Sequence, residues 1–174
     1  MSMNPKELVF EHILYEFEMY FGTASLFRRN IKCSDVDPVL LHNMMLESHQ
    51  LHLRNLIEFF CNDNNSIKMS DILTVDFRLD RKPLEHAYST VCQAVDHLSP
   101  TRATKDLSSA CSKAIIESFP IIVAKINEFL DVISDPNNVQ PKHHAELSTE
   151  YIIRRIDKLK AITKGLLLVG DENA

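Results

Sequence analysis

The stretch from Asp37 to Cys61 constrains the fold most, because it has the pattern of one long helix with helix signals at both ends. Pro38 suits the first helical position, where its missing N–H is not needed, and Asp37 before it can cap the helix by accepting a backbone N–H. The segment 62–66 (Asn-Asp-Asn-Asn-Ser) follows, and its side chains compete for backbone hydrogen bonds. We therefore expect this central helix to end near Cys61.

Projecting the central helix at about 100° per residue separates an apolar side from a charged side. The apolar side is wide, and its members are Leu41, Met45, Leu46, Leu53, Leu56, Ile57, Phe59 and Phe60. Glu47, Arg54 and Glu58 fall together on the opposite side. They form either a solvent-exposed stripe with an Arg–Glu pair or, because further apolar residues lie beside them, a second buried layer.

Three histidines of the central helix, His42, His49 and His52, lie on or beside its apolar face. A buried imidazole needs a hydrogen-bond partner, so we predict satisfied core histidines. His49 and His52 are three residues apart, but neither Glu-x-x-His nor His-Glu-x-x-His accompanies them. The pattern therefore predicts no metal site, and no motif for a cofactor is present.

The composition favours an all-α fold. The chain has 174 residues, only three glycines and no tryptophan, and several prolines stand at the starts of apolar-periodic segments. We predict one domain, 1–174, folded as an up-and-down bundle of about four to five long helices with one long loop, 62–82. The other predicted helices run from Asn4-Pro5 to about Phe21 or on to Asn30, from Pro83 to about Leu98, from about Ala103 to Ile133, and from Ser148 or Thr149 to about Val169. Pro120 must kink or split the third of these, because it removes a backbone hydrogen bond.

The long loop contains one apolar piece, Asp71–Phe77. A connection of this length without a helix is unusual in a small bundle. We expect the piece to pack across one end of the bundle, as a helical turn or as an extended segment.

The net charge and the cysteines limit which partners and which cellular compartment the sequence predicts. A net charge of −5 opposes binding to nucleic acid or to an anionic membrane, so a polyanion would need a local basic patch. The last helix offers one, which is either a solvated face or an anion or RNA site: Arg154, Arg155, Lys158, Lys160 and Lys164. Four irregularly spaced cysteines without Cys-x-x-Cys, no secretory signal and no transmembrane stretch predict a cytoplasmic protein with no membrane partner.

Segments 47–60, 71–77 and 97–102 together resemble a signature of small uncharacterised bacterial helical-bundle proteins. Its parts here are Glu47-Ser48, His52-x-Arg54-Asn55-Leu56-x-x-Phe59, Asp71 to Phe77, and His97-Leu98-Ser99-x-x-Arg102. The resemblance implies that a set of side chains forms one polar cluster: Glu47, His52, Arg54, Asn55, Asp76, His97 and Arg102. It implies no activity.

More remotely, Arg54-Asn55 resembles the start of the motif of HEPN helical bundles, many of which are toxin or antiphage RNases. In that family an arginine and a histidine of two chains meet in a dimer cleft. Here Phe59, Phe60 and Cys61 stand where the histidine is expected. The resemblance implies an RNase or a degenerate RNA-binding relative, and a homodimer, with His52 or His97 as the substitute histidine.

Two functions remain open from the sequence. Metal-independent RNA cleavage needs an acid, a base and a cation beside a phosphate, and the catalytic candidates are His97, His52, Arg54 and Arg102. The other function, which we favour, is a non-enzymatic interaction or binding module. In it the polar cluster, with Glu47, Asn55 and Asp76 as binding residues, clamps the Asp71–Phe77 piece to the central helix.

Overall fold

The structure, a computed structural model, describes residues 8–29, 36–61, 67–95 and 107–171. Helices in these ranges are α1 (Val9–Arg29), α2 (Pro38–Phe60), α3 (Met69–Ile72), α4 (Glu85–Val95), α5 (Leu107–Ile133), α6 (His144–Leu147) and α7 (Glu150–Asp171). No strand occurs in the same ranges, and Leu73 and Val139 form an isolated β-bridge. The all-α fold predicted from the sequence is therefore confirmed.

The central helix α2 begins and ends where its sequence signals predict. One carboxylate oxygen of Asp37 accepts the N–H of Val39 at 2.9 Å and that of Leu40 at 3.0 Å. Pro38 occupies the first turn, and Cys61 caps the other end through its backbone N–H. One side chain thus satisfies two of the backbone N–H groups that the first turn leaves unbonded, and Pro38 itself has no N–H to satisfy.

The apolar side predicted for α2 is at least half-buried along the helix, and its burial is complete only in the second half. Its buried residues all lie in the second half of the helix: His49, Gln50, His52, Leu53, Leu56, Ile57, Phe59 and Phe60. In the first half, Leu41, Met45 and Leu46 are half-buried, whereas the apolar residues outside the predicted side are exposed: Val39, Leu40 and Met44. The difference arises because α1, α4 and α5 all pack on α2, and the buried residues show that they cover mainly its second half.

The core is built from aromatic rings of several helices. The ring of Phe17 in α1 stacks on Phe60 of α2 at 6.0 Å between centroids and meets Phe129 of α5 edge-on at 5.8 Å. The ring of Phe77, at the end of the Asp71–Phe77 piece, lies 5.6 Å from that of Phe129 between centroids, and the ring of Phe59 lies 5.5 Å from it. Such edge-to-face pairs add to the free energy gained by burying the rings. These contacts fix α1 against α2.

Pro120 lies inside α5, which runs without a break from Leu107 to Ile133. Of the two outcomes expected for this proline, splitting of the helix is therefore excluded. The residue four positions earlier, Ile116, is 71% exposed, and Pro120 is exposed as well. The backbone carbonyl that loses its partner thus lies on the solvent side, where water can satisfy it.

The predicted apolar piece of the long loop takes both expected forms in succession. It starts as the helical turn α3 and continues as an extended chain to residue 80. Backbone bonds tie it to the loop after α5: Gln140 N–H donates to Ile72 O at 2.7 Å, and Thr74 N–H donates to Asn138 O at 2.9 Å. Ile72, Leu73 and Phe77 are buried, so the piece completes the core.

Candidate functional site

A cleft of about 380 Å³ lies between α1 and α2, and we call it the α1–α2 cleft. Phe17 and Phe59 contribute to its apolar wall. Its polar lining residues are His12, Tyr15, Glu16, Asn55 and Glu58. Two carboxylates therefore face one concavity, and no lysine or arginine is among the described residues that line it.

Glu16 is the residue on which the predicted site residues of α2 converge. Its Oε2 accepts Nδ1–H of His52 at 2.7 Å and Nδ2–H of Asn55 at 3.2 Å. The carboxylate can only accept, so the imidazole carries its hydrogen on Nδ1. His52 is buried and also meets the ring of Tyr15 edge-on at 6.1 Å. The two hydrogen bonds from α2 fix the position of the Glu16 carboxylate in the wall of the cleft.

Sequence reasoning missed Glu16. The available signal was an acidic residue beside the aromatic stripe of the first helix, next to Phe17 and four residues before Tyr20. That signal does not show which residue of α2 the carboxylate meets, since the meeting depends on how two helices pack. The contact of Glu16 with His52 and Asn55 is therefore determined by tertiary packing and not by the local sequence.

The second carboxylate, Glu58, is held by a pair of donors. Its Oε1 accepts Nε–H of Arg54 at 2.8 Å and the hydroxyl of Tyr88 in α4 at 2.9 Å. The hydrogen bond to Glu58 raises the pKa of Arg54, and burial raises the pKa of Tyr88 to about 12. The Arg54 side chain is 39% exposed and Glu58 is 18% exposed. The charged side of α2 is therefore neither a fully exposed stripe nor a fully buried layer. Helix α4 covers Glu58, whereas Arg54 is partly exposed to water.

His52 and Arg54 point to different sides of α2. Residues two apart in a helix are separated by about 200° around its axis. His52 accordingly faces α1, and Arg54 faces the side that α4 covers at Glu58. The two candidate catalytic groups do not converge within one chain.

Asp76 does not join the predicted cluster. Its carboxylate accepts Nε–H of Arg78 at 3.3 Å, and its side chain is 81% exposed. The expected clamp between this acid and Arg54 is therefore wrong, because backbone bonds to residues 138–140 hold the segment instead. Glu47 lies half-buried on α2, and His97 and Arg102 lie outside the described residues.

His49 and His52 are buried and each has a hydrogen-bond partner, as predicted, whereas His42 is exposed, so the prediction of a core histidine is wrong at that position. His49 is fully buried, its Nδ1 lies 2.8 Å from Thr23 Oγ1, and its ring stacks on Tyr20 at 4.7 Å. Burial is the largest cause that lowers its pKa, to about 4, so the ring is neutral at pH 7. Across the described ranges, no three histidine, cysteine, aspartate or glutamate side chains are grouped as metal ligands would be.

The basic side of α7 is largely paired with acids. Arg155 donates two bonds to Glu18 of α1, at 2.8 and 3.0 Å. Lys160 lies 2.8 Å from Asp131 of α5, and Arg154 pairs with Glu150 one turn earlier. Three of the five cations predicted as a patch are thus neutralised locally, which leaves Lys158 and Lys164 exposed.

No protein-family model, curated protein or solved structure matches this chain. Every helix in the described ranges is too short or too polar to pass through a lipid bilayer. The site is therefore interpreted from its geometry and its chemistry.

Proposed function

We propose that this protein is a non-enzymatic interaction module whose α1–α2 cleft binds a positively charged side chain, lysine or arginine, of a partner protein. The observation that carries the proposal is the Glu16 carboxylate, held in the wall of a cleft of about 380 Å³, where the other carboxylate, Glu58, is already paired with Arg54. A volume of this size is at the low end of the range of ligand pockets, about 300–1,000 Å³. It suits one long side chain rather than a large cofactor.

Glu16 is preorganised to receive such a cation. Both of its hydrogen bonds end on Oε2, so Oε1 remains available to a donor from the partner. Because His52 and Asn55 already hold the carboxylate, little side-chain entropy is lost when the cation binds. Charge-assisted hydrogen bonds to a carboxylate are stronger than neutral ones, and a guanidinium can bind it through two donors.

The rest of the cleft suits the hydrocarbon stem of the same side chain. Phe17 and Phe59 lie in its wall, and Tyr15 is half exposed at the cleft. Long basic side chains bury their methylene stems on apolar surfaces, and their charged heads are attracted to aromatic faces. The net charge of −5 also favours a basic partner.

RNA cleavage, the alternative from the HEPN resemblance, is supported less by the same geometry. His52 donates to Glu16 and is buried behind it, whereas Arg54 pairs with Glu58 on another side of α2. A cleavage site would have to combine Arg54 with His97 or Arg102, or with residues of a second copy. Under this alternative the protein is a homodimer, so a monomeric mass by light scattering would remove it.

We also propose a cytoplasmic location. Cys61, Cys92 and Cys111 are thiols rather than disulfides. Thiols of this kind persist in a reducing compartment. Mass measurement of alkylated protein, taken directly from lysed cells, tests whether the cysteines stay reduced there.

Titration with fluorescein-labelled hexa-arginine, followed by fluorescence anisotropy, tests the cleft. We expect saturable binding that weakens about tenfold in Glu16→Gln, because the glutamine keeps an oxygen for His52 and Asn55 but loses the charge. Glu117→Gln removes the same charge from an exposed site on α5, where Glu117 pairs with Lys113, and is the matched control. Equal weakening in both variants would mean that general charge, not the cleft, attracts the peptide.

The enzyme alternative is tested with the wild-type protein and with Arg54→Ala. We expect no cleavage of a labelled single-stranded RNA in the presence of a chelator, with wild type and with Arg54→Ala alike. Cleavage by wild type that Arg54→Ala abolishes at unchanged melting temperature would overturn the proposed function in favour of an RNase.

A further inference from the structure

A second concavity, of about 350 Å³, lies on the other side of the central helix, between α1, α2 and α5. We call it the α2–α5 cavity. Its apolar lining consists of Ala24, Leu46, Ile115, Ile116 and Phe119. It shares no lining residue with the α1–α2 cleft.

We propose that the α2–α5 cavity binds an uncharged, largely apolar small molecule. The polar part of its lining comes from His42, His49 and Ser112, and no Asp, Glu, Lys or Arg is among the described residues that line it. A charged ligand would lose its hydration there without gaining a counter-charge. The volume falls in the range of small-molecule sites, which are mostly apolar with a few polar groups.

His49 in the wall of the α2–α5 cavity is held in one orientation without a ligand. The hydroxyl of Thr23 lies 2.8 Å from Met19 O and 3.1 Å from Tyr20 O, and these carbonyls can only accept its single hydrogen. The oxygen of Thr23 therefore accepts from Nδ1–H of His49, at 2.8 Å. Stacking on Tyr20 fixes the ring plane. The lowered pKa of His49 keeps this ring neutral at pH 7.

Apolar surface at the edge of the cavity is open to water. Ile116 lines the cavity and is 71% exposed, whereas most large apolar residues of α5 are buried. Covering such surface with an apolar molecule releases ordered water and is favourable. A concave site of this volume receives a small molecule more readily than it receives a helix of another protein, which needs a long groove.

The test uses N-phenyl-1-naphthylamine, an uncharged dye that fluoresces in apolar surroundings, and the full-length protein. We expect saturable fluorescence enhancement with one dye per chain. The anionic dye 8-anilino-1-naphthalenesulfonate, of similar aromatic area, is expected to bind at least tenfold more weakly. Absence of saturable binding, or tighter binding of the anionic dye, would overturn the proposal.

Substitutions at Ile116 locate the dye. Ile116→Lys and Ile116→Glu each place a charge at the cavity while changing an exposed position that carries little stability. Both are expected to weaken binding of the uncharged dye about tenfold, with circular dichroism unchanged. Ala124→Lys and Ala124→Glu are the controls, because Ala124 is exposed on the same helix and does not line the cavity. Unchanged binding in both Ile116 variants would place the dye elsewhere and refute the assignment.

Discussion

At the scale of single residues, the histidines of α2 show how burial and partners decide what a titratable group does. His52 has a carboxylate partner 2.7 Å away, whereas the partner of His49 is the neutral hydroxyl of Thr23. The two rings lie three residues apart in α2, but they have different partners, because α1 places Glu16 beside one and Thr23 beside the other.

His49 makes stability depend on pH. Its folded pKa, about 4, lies below the ordinary value of 6.5, so the unfolded chain binds a proton more readily. The stabilisation is fully present above pH 6.5 and is lost as the pH falls through 4. We expect a contribution on the order of 3 kcal/mol to disappear between these limits.

Urea unfolding at pH 7 and at pH 4 measures how much unfolding free energy is lost when His49 becomes protonated. His49→Gln, which cannot take up the proton, should show a smaller loss of unfolding free energy over this interval than wild type. His86→Gln changes an exposed histidine on α4 and is the control. An identical loss in wild type and His49→Gln would refute this assignment.

At the scale of elements, one inserted ring adds to the backbone hydrogen bonds that hold the extended segment after α3. Phe77 is buried against Phe60 and Phe129, and the ammonium of Lys125 lies 3.7 Å from the centre of its ring. Lys125 is itself buried and pairs with Glu128 at 2.9 Å. The ring thus joins the segment to α2 and α5 through apolar packing and a cation–π contact.

Phe77→Ala should lower the free energy of unfolding by about 3–5 kcal/mol, because it leaves a cavity among the core rings. Val75→Ala, in the same segment at a position 39% exposed, should change it by no more than about 0.5 kcal/mol. Chemical denaturation of both variants provides the comparison. Similar small losses would show that the segment does not contribute to the cooperative core.

Pro120 gives a prediction for α5. Pro120→Ala restores an N–H that can bond to Ile116 O and removes the ring from a helix interior, so we expect stabilisation by about 1–3 kcal/mol. The gain is reduced somewhat because proline also restricts the unfolded chain.

Thermal unfolding of Pro120→Ala and Pro83→Ala tests whether replacing the proline in α5 stabilises the protein. Pro83 lies in the 3₁₀ turn Lys82–Leu84 before α4, where proline is compatible with the backbone, so its replacement should bring no gain. A loss of stability in Pro120→Ala would mean that the packing of α5 requires the proline.

At the scale of the whole molecule, distant parts of the chain meet where α1 begins. The carboxylate of Glu146 accepts the N–H of Glu11 at 2.9 Å, and the ring of His143 meets Phe10 edge-on at 5.8 Å. His143 also donates from Nε2 to Asp71 O at 3.2 Å. A carboxylate at a helix N-terminus stabilises the helix, although burial raises the pKa of Glu146. The contacts tie α1 to α3 and α6.

Local signals were sufficient for the ends of α2 and for the start of α7, but they did not predict α6. Asp37, Pro38 and the polar run after Cys61 placed both ends of α2, because caps and prolines act within one helical turn. The same local signals placed the start of α7 within two residues. They did not reveal that the apolar side of α2 is fully buried only in its second half, since burial depends on neighbours far away in the chain.

The site could be predicted only in part for the same reason. Periodicity alone placed His49 and His52 on a buried face, and the need for hydrogen bonds then required partners. The identity of those partners, Glu16 and Thr23, was decided by the packing of α1 on α2. Periodicity follows from the helix geometry that every sequence shares, whereas pairing between helices follows from how their particular side chains interlock. The sequence by itself therefore determined an all-α chain and which faces of its helices are apolar, and only the tertiary structure decided which carboxylates meet in a cleft.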